Sequence, residues 1–436
     1  MPESQPTPSY NINPNLTASQ QQQFADLLNS HRAAFAISPT AAPPSAHGVE
    51  HSIHLTQPAP IKQNPYRQSP LKQSFINDEV NKLYVQGLIR DSNSAWSSPV
   101  VIVPKQGGQL RMCIDYRKVN AVTKKDAYPM PLIEDCLNLC RDAKYLTLID
   151  VQDAYWHIPM SAESIAITAF AIQDKLMEWI VMPFGLCNAP ATFQRYVDTV
   201  LRGLIGRICA AFFDDILVYT PTVFEKGKDV TFERHLSAVK EVLEKLAASN
   251  LSAKVKKCKF GYTEIIFVGH LIKDGKIRPD PEKLKGVSEF PAPNTVTQVK
   301  SFLGLANYYR KFIHHFAHIA APLYFLTTKD APFDWTAMCE SSFQELKKVL
   351  LSSECLHGPD FKRPFILQTD ASNDGIGAVL VQEFDGIERP IAYISRQLNK
   401  AEKNYMTTEQ ECLAVVWACK AFEPYLIDAP FTIITV

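Results

Sequence analysis

The sequence has no C-x-x-C pair among its ten cysteines, no apolar run that approaches a membrane span, and no net charge. Structural zinc sites draw their thiolates from closely spaced pairs, so the scattered cysteines give no zinc ribbon or finger. Cys136 and Cys140 would share one face of a helix, but no second pair completes a zinc site. Reduced thiols are the default, and no targeting segment opens the chain, so cytoplasm is the expected location and no membrane partner is called for. Lysine plus arginine (45) equals aspartate plus glutamate (45). That balance argues against an indiscriminate nucleic-acid binder, and any such affinity must come from local basic patches. The rest is ordinary for a globular protein: 436 residues, 46% apolar and 21% charged, are enough for about two or three domains with sizeable cores.

The chain is organised around residues 208–219, where two apolar runs of strand length flank Asp214 and Asp215. Their β-branched and aromatic content favours strands, with the acidic pair in the turn of a hairpin. Alone, that pair reads as an exposed turn. Residues 146–155 form a second apolar run, which leads into Asp150. If this strand lies beside the hairpin, Asp150, Asp214 and Asp215 converge as an all-oxygen cluster of the kind hard cations such as Mg²⁺ use. Carboxylates next to so much apolar surface are costly unless a cation compensates them. Two such ions would clamp an in-line phosphoryl displacement.

In chain order, the first twenty or so residues are rich in Pro, Ser, Gln and Asn and read as a disordered lead. A short helical pattern over 17–35 puts Phe24, Leu27, Leu28 and Ala34 on one face, before prolines break it at 39–44. His51 and His54 alternate with apolar residues, as in a half-exposed strand. Residues 75–88 suit a helix with Ile76, Val80, Leu83 and Tyr84 on one side. A hairpin follows, with arms at 99–105 and 110–117; its Lys105, Arg111 and Arg117 either face a polyphosphate or are simply solvated, and Asp115 is placed to pair with an arginine. Gly185 lies in a turn that opens a helix over 191–204, where it serves either a close backbone approach to a ligand or the turn alone. A second amphipathic helix covers 232–248, and Lys254, Lys256, Lys257 and Lys259 form a basic strip suited to phosphates or to solvent.

Residues 265–272 read as another apolar hairpin arm, and 279–327 turn helical. Tyr308, Tyr309, Arg310 and Lys311 form an aromatic-basic cluster that suits a nucleic-acid groove, whereas His314, His315 and His318 read as packing or surface residues. After a boundary near 353–364 a smaller α/β unit begins, with strands at 364–372, 375–382, 389–397 and 431–436 and a helix over 408–422. Within it, Asp370 and Glu411 form half of a second metal site.

Read together and in order, several stretches are specific: Ser97-Ser98-Pro99-Val100-Val101, the run from Arg111 to Asn120, Met182-Pro183-Phe184-Gly185-Leu186, Phe212-Phe213-Asp214-Asp215, Phe267-Val268-Gly269-His270 and Thr369-Asp370-Ala371-Ser372. From about residue 49 onward the chain resembles the polyprotein segment of gypsy-type long-terminal-repeat retrotransposons that holds reverse transcriptase followed by ribonuclease H. The resemblance implies an α+β / α/β fold: a right-hand polymerase (fingers, palm, thumb) followed by a partial ribonuclease H-like domain. It divides the chain into a flexible lead (1–48), fingers and palm (49–278), thumb and connection helices (279–355) and the ribonuclease H-like part (356–436).

It implies an RNA-directed DNA polymerase whose partners are an RNA or DNA template, a nucleic-acid primer and deoxynucleoside triphosphates. By motif, Asp150, Asp214 and Asp215 are the catalytic carboxylates and, with Val151, hold two Mg²⁺ (or Mn²⁺). Lys105 and Arg111 fall where the incoming triphosphate is contacted. Tyr155 falls under its sugar, Phe184 and Gly185 at the nucleotide pocket floor, and residues 267–270 at the primer grip. Phe212 departs from the usual tyrosine. The aspartate expected after Thr435 is replaced by Val436, where the sequence stops, so the expectation is a fragmentary element product with little nuclease activity. The rival expectation is a non-catalytic remnant that binds primer-template without turnover. Oligomeric state is not assigned, and a virus-like particle or the nucleus are alternative locations.

Overall fold

The structure, a computed structural model, describes residues 9–35, 46, 48–104, 110–140, 142–329, 331–352, 355–372 and 375–435. The chain forms two compact units, one of residues 1–136 with 144–262 and the other of 137–143 with 263–436.

The first unit is built on two antiparallel-rich sheets. One has the order Lys259–Tyr262, Ala143–Asp150, Asp215–Pro221, Cys209–Phe212. Ile216, Leu217 and Val218 are all fully buried, so this strand is covered on both faces. That is why it reads as an unbroken apolar run and not as an alternation. The helix Thr231–Ala248 packs on the sheet through Phe232, Val239, Val242, Leu243 and Leu246. From the same face His235 reaches the hydroxyls of Thr147 (2.8 Å) and Thr220 (2.9 Å), joining the two central strands. The second sheet runs Ile89–Asp91, Lys175–Trp179, Phe170–Ile172, Ser98–Pro104, Leu110–Ile114. Its last two strands form the expected hairpin, with Val103 opposite Arg111. The helix Pro70–Val85 buries Ile76, Val80 and Leu83, while Tyr84 of the same predicted face is half-exposed.

Residues 9–35, expected in a flexible lead, are part of the core. The helix Ala18–Ser30 opens with a capping box in which Thr17 and Gln20 satisfy each other's main chain. It buries Phe24 and Leu28 completely. Phe24 meets the Phe232 ring at 5.5 Å and the Phe260 ring at 6.4 Å. Gly261 permits this approach, because its φ is +68° and an added Cβ would lie 2.6 Å from Phe24. The helix and its apolar face are those expected from the pattern over 17–35; what the polar composition of the segment hid is that this face docks into the core. Likewise His51 belongs to no strand. It makes one bridge to Met160 and is buried with its Nδ1 2.9 Å from Thr192 Oγ1, so it is a satisfied core histidine.

The second unit starts with a sheet of Glu264–Phe267, His270–Lys273, Lys276–Pro279 and Leu356–His357. Residues 263–278, expected with the fingers and palm, belong to this unit, where the strand Lys276–Pro279 pairs with Leu356–His357. The turn at Val268 and Gly269, both at positive φ, is fixed by hydroxyls from the helix Val296–Tyr308 and the residue after it. Tyr308 donates to Val268 O (2.7 Å) and Tyr309 to Gly269 O (2.8 Å). Arg310 donates to Ser395 O at 2.6 Å. Three residues expected to line a nucleic-acid groove thus have internal work, and Tyr309 is fully buried. The final sheet has the order Ile387–Gln397, Gly375–Phe384, Phe365–Ala371, Phe431–Thr435, with the last strand parallel to its neighbour. The helix Thr407–Ala421 covers it through Ala414 and Ala418. Among the described residues no helix is long and apolar enough to cross a membrane.

Two measurements check this packing. Phe24→Ala should lower stability by about 3–5 kcal/mol in urea melts, the usual cost of emptying a filled aromatic site; a change within about 0.5 kcal/mol would mean the segment is not part of the core. Burial lowers the pKa of His235 from 6.5 to about 3. The unfolded chain therefore binds one more proton between those values. The stability due to neutral His235 is complete above pH 6.5 and falls as pH drops, with a slope of up to about 1.4 kcal/mol per pH unit. His235→Asn should flatten that slope between about pH 6.5 and 4.

Candidate active site

Phe212 pairs with Asp215 across the hairpin, leaving Phe213 and Asp214 as the two turn residues. Phe213 has φ +54°, a conformation that costs an aromatic residue on the order of 1–3 kcal/mol. Three contacts hold it there. The Phe213 amide donates to Gln194 Oε1 (2.8 Å), the Val151 amide donates to Asp214 O (2.9 Å), and the Phe212 and Phe213 rings meet edge to face at 4.7 Å. The bond from Val151 docks the acidic turn on the residue that follows Asp150. The other side of that strand end is held by the Lys254 amide, which donates to Asp150 O at 2.8 Å.

The carboxylates gathered this way repel one another. Asp150 is 8% exposed. Burial raises its pKa, a hydrogen bond from Lys257 opposes the rise, and the charge of Asp214 adds to it. Asp215 is pushed up to about 6 by burial first and then by Asp214 and Asp150. Lys257 Nζ lies 2.8 Å from Asp150 Oδ2. Its own burial works to lower its pKa, but the hydrogen bond to Asp150 and the charges of all three aspartates leave it raised. Among the described residues no three His, Cys, Asp or Glu side chains stand as a ready-made metal cage. The site is instead an oxygen-donor cluster with excess negative charge and one ammonium lodged against it, a donor set that fits Mg²⁺ or Mn²⁺.

Tyr155 stands beside this cluster. Its pKa is raised to about 12, by burial and then by the charge of Asp214. Its ring lies 5.0 Å from Phe184 and 5.8 Å from Phe193. Phe184 itself is 52% exposed, an apolar ring left open next to the aromatic floor. Gly185 has φ +98°, and a Cβ there would sit 3.3 Å from Ile114 O. Asn120 also donates to its carbonyl at 2.8 Å. Both the turn and the close approach therefore require glycine. Arg111 shares a cavity of about 570 Å³ with Asp153, Trp156, Trp179 and Phe184. Lys105 lies outside the described residues. Arg117 is committed to Asp115 (2.6 Å), and its hydrogen bond is the main cause that holds that carboxyl near 2 despite partial burial.

In the other unit, Asp370 and Glu411 approach closely enough that burial, and then the charge of Asp370, raise the Glu411 pKa. Glu411 Oε2 is buried without a hydrogen-bond partner. His315 Nε2, expected to be a packing or surface residue, lies 3.8 Å from Asp370 Oδ2.

Sequence reasoning missed Gln194 and the particular role of Lys257. The basic strip was visible, but its spacing did not show which lysine turns inward. Removing the Gln194 acceptor with Gln194→Leu strands the Phe213 amide and should cost about 1–3 kcal/mol in denaturant melts. An unchanged midpoint would mean the turn does not depend on it.

Residues 103–272 match the family described as reverse transcriptase (RNA-dependent DNA polymerase). Residues 335–433 match the RNase H-like domain found in reverse transcriptase. The chain is 37% identical over 443 aligned positions to the retrovirus-related Pol polyprotein from transposon opus of Drosophila melanogaster, covering 97% of this chain and 43% of that protein. It is 35% identical to the corresponding polyprotein from transposon gypsy of the same organism, covering 93% and 40%. The chain thus spans less than half the length of these relatives. Among solved structures it is similar to a foamy viral protease-reverse transcriptase (dRH) in complex with double-stranded DNA, with a TM-score of 0.85, 24% identity and coverage of 97% of this chain and 72% of that one. A second foamy viral structure, in complex with an RNA/DNA hybrid, gives a TM-score of 0.82 at 24% identity, covering 97% and 56%. At that identity the likeness is one of fold. The two matched domains, their order, and the retrotransposon relatives agree with the docked acidic turn: the chain belongs to the reverse transcriptase family, in the retrotransposon Pol group, with an RNase H-like domain after the polymerase region.

Proposed function

We propose that the chain is an RNA-directed DNA polymerase that extends a primer 3′-hydroxyl with deoxynucleoside triphosphates on an RNA or DNA template. The observation that carries this reading is the docking of the Asp214–Asp215 turn against the strand end at Asp150, which crowds three carboxylates that one lysine leaves under-compensated.

Asp150, Asp214 and Asp215, with Val151 next to them, would hold two Mg²⁺ (Mn²⁺ in their place). Bound there, the ions supply activation of the primer hydroxyl and charge stabilisation for the departing pyrophosphate. The chain's own residues then position and select. Tyr155, its ring fixed against Phe184 and Phe193, presents a wall that a ribose 2′-hydroxyl would strike. Arg111, facing the cavity beside Phe184, suits the triphosphate as a fixed cation. Sequence selection would come from base pairing, so the protein need read only backbone and duplex shape.

Primer extension on poly(rA)–oligo(dT) tests the reading. Mg²⁺-dependent incorporation should fall by at least about 100-fold in Asp214→Asn. Duplex binding with no incorporation by folded wild-type protein would replace this reading with that of a binding remnant.

A further inference from the structure

Lys257 comes from a strip of four lysines at 254, 256, 257 and 259, three of which could serve equally well as solvated surface charges. The fold separates it from the others. The Lys254 amide is tied to Asp150 O (2.8 Å) and the Lys257 amide to Lys254 O (2.9 Å), so a single turn of chain is pinned to the strand end with Lys257 directed at Asp150. Its ammonium then lies 2.8 Å from Asp150 Oδ2.

The two partners are unequal. The Asp150 side chain is 11% exposed and the Lys257 side chain 56%. The lysine can withdraw into water at little cost, whereas the aspartate has nowhere to go. An aspartate left alone beside Asp214 and Asp215 would be a buried charge among like charges.

We propose that Lys257 is the resident counter-cation of this site, holding Asp150 in the metal-free protein and ceding that place to a divalent cation. The inference rests on the reading of the three carboxylates as a cation site, and it assigns to Lys257 a positioning role. It makes two opposed predictions from one side chain. Removing the ammonium leaves the empty site less stable, because carboxylate repulsion is unopposed. The same removal strengthens cation binding, because a unit positive charge no longer competes for Asp150 or repels the incoming ion. A lysine that merely anchored the strand would weaken both properties together.

The test uses the full chain without nucleic acid or nucleotide. Mn²⁺ is titrated and followed by the loss of its free-ion electron paramagnetic resonance signal, and thermal melting is recorded in EDTA. Lys257→Met should lower the melting temperature in EDTA and tighten Mn²⁺ binding about fivefold or more. Lys257→Gln, which keeps a donor for Asp150, should tighten binding with a smaller loss of melting temperature and covers the case in which the methionine variant does not fold. Lys257→Arg should resemble wild type in both. Equal or weaker Mn²⁺ binding in the neutral variants, with wild-type binding still abolished by Asp214→Asn, would overturn the counter-cation role and leave the cation site standing. Wild-type binding unaffected by Asp214→Asn would overturn the cation site itself, and this inference with it.

Discussion

Three carboxylates held close together, with Asp150 buried among them, cannot be left uncompensated, and much of the first unit reads as a response to that constraint. The main chain does the gathering. One bond from Val151 brings the turn to Asp150, and one from Lys254 closes the other side. The side chains bear the consequence: Asp215 is pushed up to about 6 by burial and its acidic neighbours, and Lys257 is drawn in against Asp150. Positioning by backbone bonds matters here, because the Val151 and Lys254 amides gather the three residues through main-chain carbonyls and leave the carboxylate oxygens out of that task.

The support beneath the site has the same character. His235 ties Thr147 and Thr220, and with them the strands that carry Asp150 and Asp215, from a position with no access to water. The N-terminal helix extends this backing, with Phe24 closing over Gly261 where the sheet edge would otherwise be exposed. Phe213, held at positive φ, is the strained element, and Gln194 and Val151 over-determine it. Strain placed directly before two adjacent acidic residues and restrained from both sides is what a turn that must present carboxylates at a fixed angle requires.

Much of this was legible in the sequence where local pattern and chemistry coincide. The apolar runs around Asp214 and before Asp150 are strands because burial on both faces and β-branched content both demand it, and their acidic ends meet as expected. Gly185 was marked as a residue with a backbone purpose, and φ +98° with Ile114 O at 3.3 Å supplies it. What stayed hidden depends on tertiary partners. Nothing in a Gln-rich segment shows that Phe24 will find a glycine to pack on. Nor does anything in Tyr308 and Tyr309 show that their hydroxyls will seek the carbonyls of a turn some forty residues earlier. His51, His235 and His270 are alike invisible as core residues: alternation or isolation suggests a surface, while the structure buries each. Lys257 was seen as charge but not as a partner, since direction is set by the pinned turn and not by composition.

The central claim is that the turn and strand end form one cation-dependent polymerisation site. Its most direct test is an anomalous-scattering map of the protein bound to RNA template, a primer lacking its 3′-hydroxyl, deoxynucleoside triphosphate and Mn²⁺. The account predicts two peaks roughly 3.5–4 Å apart, contacted by Asp150, Asp214 and Asp215 and lying between the primer end and the triphosphate, with Lys257 displaced from Asp150. Mn²⁺ bound elsewhere, with the Lys257–Asp150 pair intact beside a seated nucleotide, would contradict it.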